Sequence, residues 1–460
     1  MKRIALVLMI ASLLALGGQA FAELCTIDAV PAATLLLPYF EVDLDGLGDT
    51  STLADDSGLT TLFSVNNASA APTIAHVTFW TDWTQPTLDF DIFLTGFDVQ
   101  TVNLQAVFQG FLPVTADEQT DPADTISPHG NNPVWDGSFT APPNCANFFP
   151  FSNPIIPAQN LDRLINGHTG QPVLGGGCTG ADHGDNIARG YITIDNAVRC
   201  SIEFPSDPGY FGGADPVASN VNQLWGDYFI VDNQNNFAFG DTLVHIEADD
   251  TFDSSSTPTG YTYYGRYTDP SGLDNREPLG TVWATRYLAG GDFDGGTELL
   301  VWRDSTANQD PNADYVCGAP GVIGVGPDWH PLNETEVVAF DEAEDAVELC
   351  FVGQGGVISP PVPGSDPACF PLETQRVQVG ANDLDPPFDF GWLFLNLNIP
   401  NDTITGDVDF GSDGNIAQSH VSTNMSALGR FQVGFSAIPL LSACEDVNPS
   451  LVNSFVIPQP

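Results

Sequence analysis

Asp-x-Asp pairs are the most recurrent chemistry-bearing pattern in this 460-residue chain, at Asp43/Asp45, Asp89/Asp91, Asp292/Asp294, Asp383/Asp385 and Asp407/Asp409. In an extended strand, residues two apart share a face, so each pair sets two carboxylates side by side. Their repulsion raises a pKa or draws in a cation. Calcium suits such sites because it takes six to eight oxygen ligands in irregular geometry. The richest loop, "EVDLDGLGDTSTLADD", offers Asp43, Asp45, Asp49 and Asp55, with Gly46 and Gly48 for tight turns. "DVDFGSDGN" adds Asp407, Asp409 and Asp413. These aspartates are the expected metal ligands, and calcium is the expected ion. Neither loop is an EF-hand, since position twelve from Asp43 is Ala54 and the bidentate Glu is missing. A plainer origin competes: in so aspartate-rich a chain some pairs arise by chance, and turns favour Asp for local hydrogen bonds.

Other constellations carry weaker chemistry. "GGDFDGGTELLVWRD" resembles a fragment of the calcium-binding repeat of β-propeller proteins, with Gly296 where the third acid belongs. No sister copies accompany it, so a hairpin with a glycine-rich turn is expected instead. "GGGCTGADHGDN" brings Cys178, His183 and Asp185 together, which suggests a nucleophile and base; in an oxidising compartment, however, Cys178 is expected to be bridged. The G-x-S-x-G, H-E-x-x-H and P-loop signatures are absent. For glycoside hydrolysis through a carboxylate pair, Glu203, Glu247 and Glu298 lie in or beside strand-like runs. Trp80, Trp83, Trp135, Trp225 and Trp329 are potential sugar-stacking surfaces, although most are expected in the core. The seven histidines are scattered, and His76, inside an apolar strand, reads as a satisfied structural residue.

Charge excludes one class of partner. After Lys2 and Arg3 there is no lysine, and nine arginines face 59 acidic residues; the whole chain carries a formal charge of −48. Phosphate recognition needs clustered Lys and Arg, so nucleic acid is not an expected partner. Such a field repels itself unless salt or metal ions screen it.

Residues 1–22 read as a secretory signal peptide: a basic start, a short apolar run from Ile4 to Leu16, and Ala20-Phe21-Ala22 for cleavage. The apolar run is too short for a span and no later segment approaches one, so no integral membrane segment is expected. The chain is expected to be secreted or periplasmic, with cell-surface association. Eight cysteines fit that setting and read as up to four disulfides. Loop length favours Cys178–Cys200 and Cys350–Cys369. Zinc and haem spacings are absent.

Dense Gly and Pro punctuation separates short runs rich in Val, Ile, Thr and aromatics, many alternating at period two. That pattern predicts an all-β fold: one or two antiparallel β-sandwich domains, immunoglobulin-like or jelly-roll-like, with long disulfide-stapled loops. Expected strands include Thr34–Phe40, Leu59–Asn66, Thr73–Trp83, Val99–Phe108, Asp241–Ala248 and Thr297–Arg303. One helix is expected over Ala158–Gly167, and one helical turn over Asp341–Glu348. "TTLFSVNNAS" with "HVTFWTD", and "TVWATRYLAG" with "LLVWRD", share the layout of a hairpin. The expected division is an N-terminal sandwich over 23–210 with a long loop at 111–157, and a C-terminal sandwich over 211–460.

The functional expectation is a non-catalytic structural, adhesion or binding protein of the bacterial cell surface or extracellular space, stabilised by calcium. Its expected partners are carbohydrate, another surface protein or further copies of itself. The alternative is a secreted carbohydrate-active hydrolase.

Overall fold

The computed structural model describes residues 29–44, 58–113, 145–233, 237–249, 262–265, 267–268, 274–290, 294–304, 315–316, 334, 336–349, 369–380, 384–398, 418–427 and 430–442. The chain is all-β, built from antiparallel sheets. In the N-terminal half lie β1 (Thr34–Asp43), β2 (Leu59–Asn67), β3 (Thr73–Trp80), β4 (Pro86–Leu94) and β5 (Val99–Asn103). Helices α1 (Leu104–Phe108) and α2 (Ala158–His168) precede β6 (Gly177–Cys178), β7 (Ile187–Ala197), β8 (Leu224–Asp232), β9 (Phe237–Thr242) and β10 (Val244–Ile246). Then come β11 (Gly280–Leu288), β12 (Gly296–Arg303), β13 (Tyr315–Val316), β14 (Glu336–Phe340) and β15 (Ala346–Glu348). The last strands are β16 (Thr374–Val379), β17 (Phe390–Asn396), β18 (Ser419–Ala427), β19 (Phe431–Ser436) and β20 (Ile438–Ser442).

Two sheets form a sandwich: β10-β1-β7-β3-β4 and β5-β2-β8-β9. Between them lies the largest core, with Phe40, Phe79, Phe90, Phe108, Tyr228 and Ile230. Strands β8 to β10, drawn from beyond residue 210, complete both of these sheets. A third sheet, β15-β14-β17-β11-β18-β12-β16, carries its own core around Trp283, Leu299, Val301 and Leu393. Its two last strands are nearly one: β19 pairs with β18, the chain shifts at Ala437, and β20 pairs with β11. This curls the sheet into a half-barrel.

The first sheet is buried on both faces, which is why β1 reads as one apolar run. Its second face meets the third sheet along an aromatic seam. Trp80 stacks on Tyr191 at 5.9 Å, Tyr191 meets Trp302 edge-on at 5.9 Å, and Trp302 stacks on Tyr263 at 5.6 Å. Beside this seam Arg276, fully buried, ties the chain before β11 to the first sheet. It donates to Thr34 Oγ1, to Asp274 at 3.2 Å and to the Ser219 carbonyl at 3.1 Å. Asp195 closes the knot, accepting from Tyr210 at 2.7 Å and Tyr264 at 2.9 Å.

Several expectations change. The run Val99–Phe108 is not one strand: Asn103 ends β5 and caps α1, its side chain accepting from the Gln105 amide at 3.0 Å. Helix α2 stands as expected, burying Leu164 and Ile165. The turn after Phe340 is not helical but leads into β15, with Asp341 Oδ1 accepting from the Ala343 and Asp345 amides. Neither hairpin-like pair is a hairpin. Strands β2 and β3 belong to opposite sheets of the sandwich, and β11 and β12 are separated by β18. Across the glycine-rich turn, Thr297 Oγ1 exchanges hydrogen bonds with the Leu288 backbone, both at 2.8 Å.

The disulfide pairing is also corrected. Cys200 bonds Cys145, across 55 residues, and not Cys178. Cys178 sits instead on β6 against Trp83. Cys178 and Cys369 are each disulfide-bonded, while Cys350, the expected partner of Cys369, lies outside the described residues. Closing so long a loop removes much denatured-state entropy. Replacing Cys145 and Cys200 with alanine is expected to lower unfolding stability by about 4 kcal/mol, read from urea titration of the variant against the oxidised protein.

Candidate functional site

A proline inside β1 builds the principal site. Pro38 has no N–H to give the ladder, and the pairing of β1 with β7 slips between Leu37 and Phe40. Before the slip, Leu35 and Leu37 face the sandwich core; after it, Phe40 and Val42 do. Alternation is thereby reversed, and Glu41 turns to the opposite face, toward β16. The Pro38 carbonyl left there accepts from Thr374 Oγ1 of β16 at 2.6 Å.

Glu41 is almost fully buried and shared by three donors. Oε1 accepts from Tyr39 Oη at 2.6 Å and lies 3.5 Å from Arg189 Nε. Oε2 accepts from Arg376 at 2.9 Å. Arg189 is directly opposite Glu41 in the ladder and also grips Asp185 with two hydrogen bonds of 2.7 and 2.8 Å. Arg376 also bonds Glu298 on β12, which in turn accepts from Asn424 at 2.9 Å. Burial alone would lower both arginine pKa values, but the surrounding carboxylates outweigh it and hold both guanidiniums charged. The Tyr39 hydroxyl is pushed far up by burial and then by Glu41, so it stays a donor.

This cluster walls a cavity of about 590 Å³ between the first sheet and β16, lined among others by Tyr39, Glu41, His183, Arg189, Leu372 and Arg376. His183 Nε2 pairs with Asp82 at 2.9 Å, and Asp82 also accepts from the Ala181 amide at 2.9 Å. Cys178 is disulfide-bonded, His183 faces Asp82 and Asp185 faces Arg189, so the loop holds no nucleophile with its base. The cavity offers fixed, mutually neutralised polar groups.

A second buried cluster answers the Asp-x-Asp argument. Asp89 and Asp91 share a face of β4, and His76 of β3 lies opposite Asp91. His76 Nδ1 meets Asp91 at 2.8 Å, and its Nε2 meets the Glu203 carbonyl at 3.1 Å. Burial would lower the His76 pKa, but Asp91, with lesser help from Asp89 and Asp195, raises it from 6.5 to about 9. Burial, reinforced by Asp91 against the opposing pull of His76, pushes Asp89 up to about 6. Asp91 also accepts from the Ser201 amide beside the Cys145–Cys200 bridge.

Of the expected metal ligands, Asp43 ends β1 opposite Ile187 and is half-buried. Asp45, Asp49, Asp55, Asp407, Asp409 and Asp413 lie outside the described residues. Glu203 and Glu298 are engaged by different arginines, Arg199 and Arg376. Trp80 and Trp83 are core residues, Trp225 is half-buried, and Trp135 and Trp329 lie outside the described residues. The sequence reading passed over Glu41 and Arg376; the signal available was Pro38 within an apolar run.

Comparison of the chain with protein-family models, curated proteins and solved structures finds no match in any of the three.

Removing the Glu41 charge leaves two guanidiniums short of a partner. Glu41→Gln is expected to lower stability by about 2 kcal/mol, less than a fully buried pair loses because Arg376 is part-exposed. Arg430→Ala, whose partner Asp294 is half-exposed, is expected to stay within about 0.5 kcal/mol in the same urea titration. The raised His76 pKa implies a pH dependence. Folded His76 keeps its proton up to about pH 9, whereas the unfolded imidazole releases it near 6.5. Its contribution is therefore complete below pH 6.5 and is lost as pH rises through 9. Asp89, raised from 3.8 to about 6, loses its contribution in the lower window between those values. Stability is expected to fall by on the order of 2 kcal/mol between pH 6.5 and 9, and His76→Asn should flatten that fall.

Proposed function

We propose that this chain is an exported, acidic, non-catalytic structural, adhesion or binding protein of the cell surface or extracellular space, with calcium held in its aspartate-rich loops. The observation that carries the reading is the state of Glu41. The acid best placed on the cavity between the first sheet and β16 is tied to Tyr39, Arg189 and Arg376, so it is a fixed recognition group and not a free general base. The fully buried tryptophans Trp80 and Trp283 serve packing, and among the described residues no tryptophan lines that cavity, which favours a binding role over a sugar-cleaving groove.

The surface adds support for a binding role. Phe431, Val433, Ile438 and Leu440 of β19 and β20 are each about half exposed, an apolar strip on an otherwise acidic chain. Protein or carbohydrate surfaces are the proposed partners, together with self-association along this strip. Among the described residues no helix is long and apolar enough to cross a membrane. With so few cations, nucleic acid is not a proposed partner.

The test is thermal unfolding of the oxidised protein in EDTA, in calcium, and in sodium at matched ionic strength. Calcium at 100 times its dissociation constant is expected to stabilise by about 2.7 kcal/mol, with no equal effect of sodium. A rise that sodium reproduces would mean that the aspartates are a solvated coat, and the calcium part of the reading fails.

A further inference from the structure

The sheet β5-β2-β8-β9 turns one face to the sandwich core and the other to solvent. Along β8, Tyr228 and Ile230 enter the core, so Trp225, Asp227 and Phe229 share the outer face. The register sets one polar residue from each strand in a row across that face: Thr101, Ser64, Asp227 and Thr242. On either side of the row stands an aromatic residue of β8. Trp225 is half-buried and Phe229 is 47% exposed. Four residues apart on one strand, they lie about 13 Å from each other.

The neighbours of these side chains fix how they are presented. Phe229 stands opposite Gly240 of β9, where a β-carbon would collide with its ring. Glycine therefore lets that ring lie across the edge strand. The Trp225 ring leans on His245, with centres 5.9 Å apart and a tilt of 32°. Between the two aromatics, Asp227 Oδ1 accepts from Ser64 Oγ at 2.7 Å. The Asn66 amide donates to Ser64 Oγ at 3.4 Å and to the Trp225 carbonyl at 3.3 Å. Asp227 is thus held in place by one oxygen, and the carboxylate keeps capacity to accept further hydrogen bonds.

We infer that this face binds an uncharged polysaccharide chain, an inference that rests on the binding role proposed above and names its partner. A sugar ring carries a flat C–H face that stacks on an aromatic side chain, and a rim of hydroxyls that donate to a carboxylate. Both kinds of group alternate here along β8: ring, acceptor, ring. Charge selects among polymers. The four strands contain no lysine or arginine, and Asp227 adds to a chain charge of −48. An anionic polymer meets repulsion on this face, and so does a second copy of the chain. A neutral glycan meets none. The exposed Phe229 ring gives it an apolar surface that water otherwise covers.

The experiment is native electrophoresis of the intact oxidised protein in gels holding mixed-linkage β-glucan, xyloglucan or galactomannan, with polygalacturonate as the anionic control. Retardation is expected in at least one neutral gel and not in polygalacturonate. Trp225→Ala and Phe229→Ala are each expected to weaken that affinity at least about tenfold, while Phe431→Ala, on the apolar strip, leaves it unchanged. Asp227→Asn, which keeps the shape of the side chain, is expected to weaken it too and serves if an aromatic variant fails to fold. No retardation in any neutral gel overturns the inference, as does retardation that the variants on β8 leave unaltered. Retention on immobilised lysozyme, a basic protein, without retardation by glycan would assign the face to a cationic protein and overturn it as well. Reducing ends released from a retarding polymer would end the non-catalytic reading while leaving this binding face in place.

Discussion

Charge repulsion is the constraint to which the rest of this structure answers. A chain with a formal charge of −48 has few cations, and several of them are placed in its interior and between its layers. Arg276 and Arg303 are fully buried; Arg303 donates to the Phe370 carbonyl at 2.8 Å and to the Leu397 carbonyl. Arg189 and Arg376 neutralise Glu41, Asp185 and Glu298, and Arg199 pairs with Glu203. A buried ion pair is a weak source of net stability, but breaking one by losing a single partner is costly. The arginines therefore act as rivets, joining segments distant in sequence: Arg376 to Glu41 spans 335 residues, and Arg276 to Thr34 spans 242.

The sheet that receives those rivets is exceptional in being covered on both sides. A sandwich strand ordinarily presents one face to solvent. Here the slip at Pro38 reverses the alternation of β1, so one strand feeds apolar side chains to the sandwich core and polar ones to the junction with the third sheet. The aromatic seam of Trp80, Tyr191, Trp302 and Tyr263 then closes the same junction where the polar groups end. The Glu41 cluster and the interlayer packing thus arise from one local irregularity.

Fold class was legible in the sequence because apolar alternation and turn residues act locally. Strands β2 and β12 could be read almost to their ends for that reason, and β1 as far as Phe40. Strand β18 was invisible: Ser419, Ser422, Thr423 and Asn424 are all buried, yet their composition is that of a loop. It is a strand because β12, β19 and part of β11 satisfy its backbone, a property of partners and not of its own residues. The apparent hairpins misled for a related reason, since a glycine-rich turn fixes a change of direction but not which strand lies alongside. The Asp89/Asp91 pair was read correctly as a like-charge problem, although its solution, His76, came from the neighbouring strand. Glu41 and its arginines were hidden because a cluster assembled across 335 residues leaves no spacing to find.

Riveting with arginine, in a chain that has no lysine after residue 2, also shapes how the protein meets proteases. Enzymes that cut after basic side chains need an extended, accessible segment around the target. Arg276 and Arg303 are sealed in the interior, and Arg189, in a central strand, is mostly covered. At these positions the packing that holds the layers together also withholds cleavage points from that widespread class of hydrolases, whereas Arg163, Arg286 and Arg430 stay exposed.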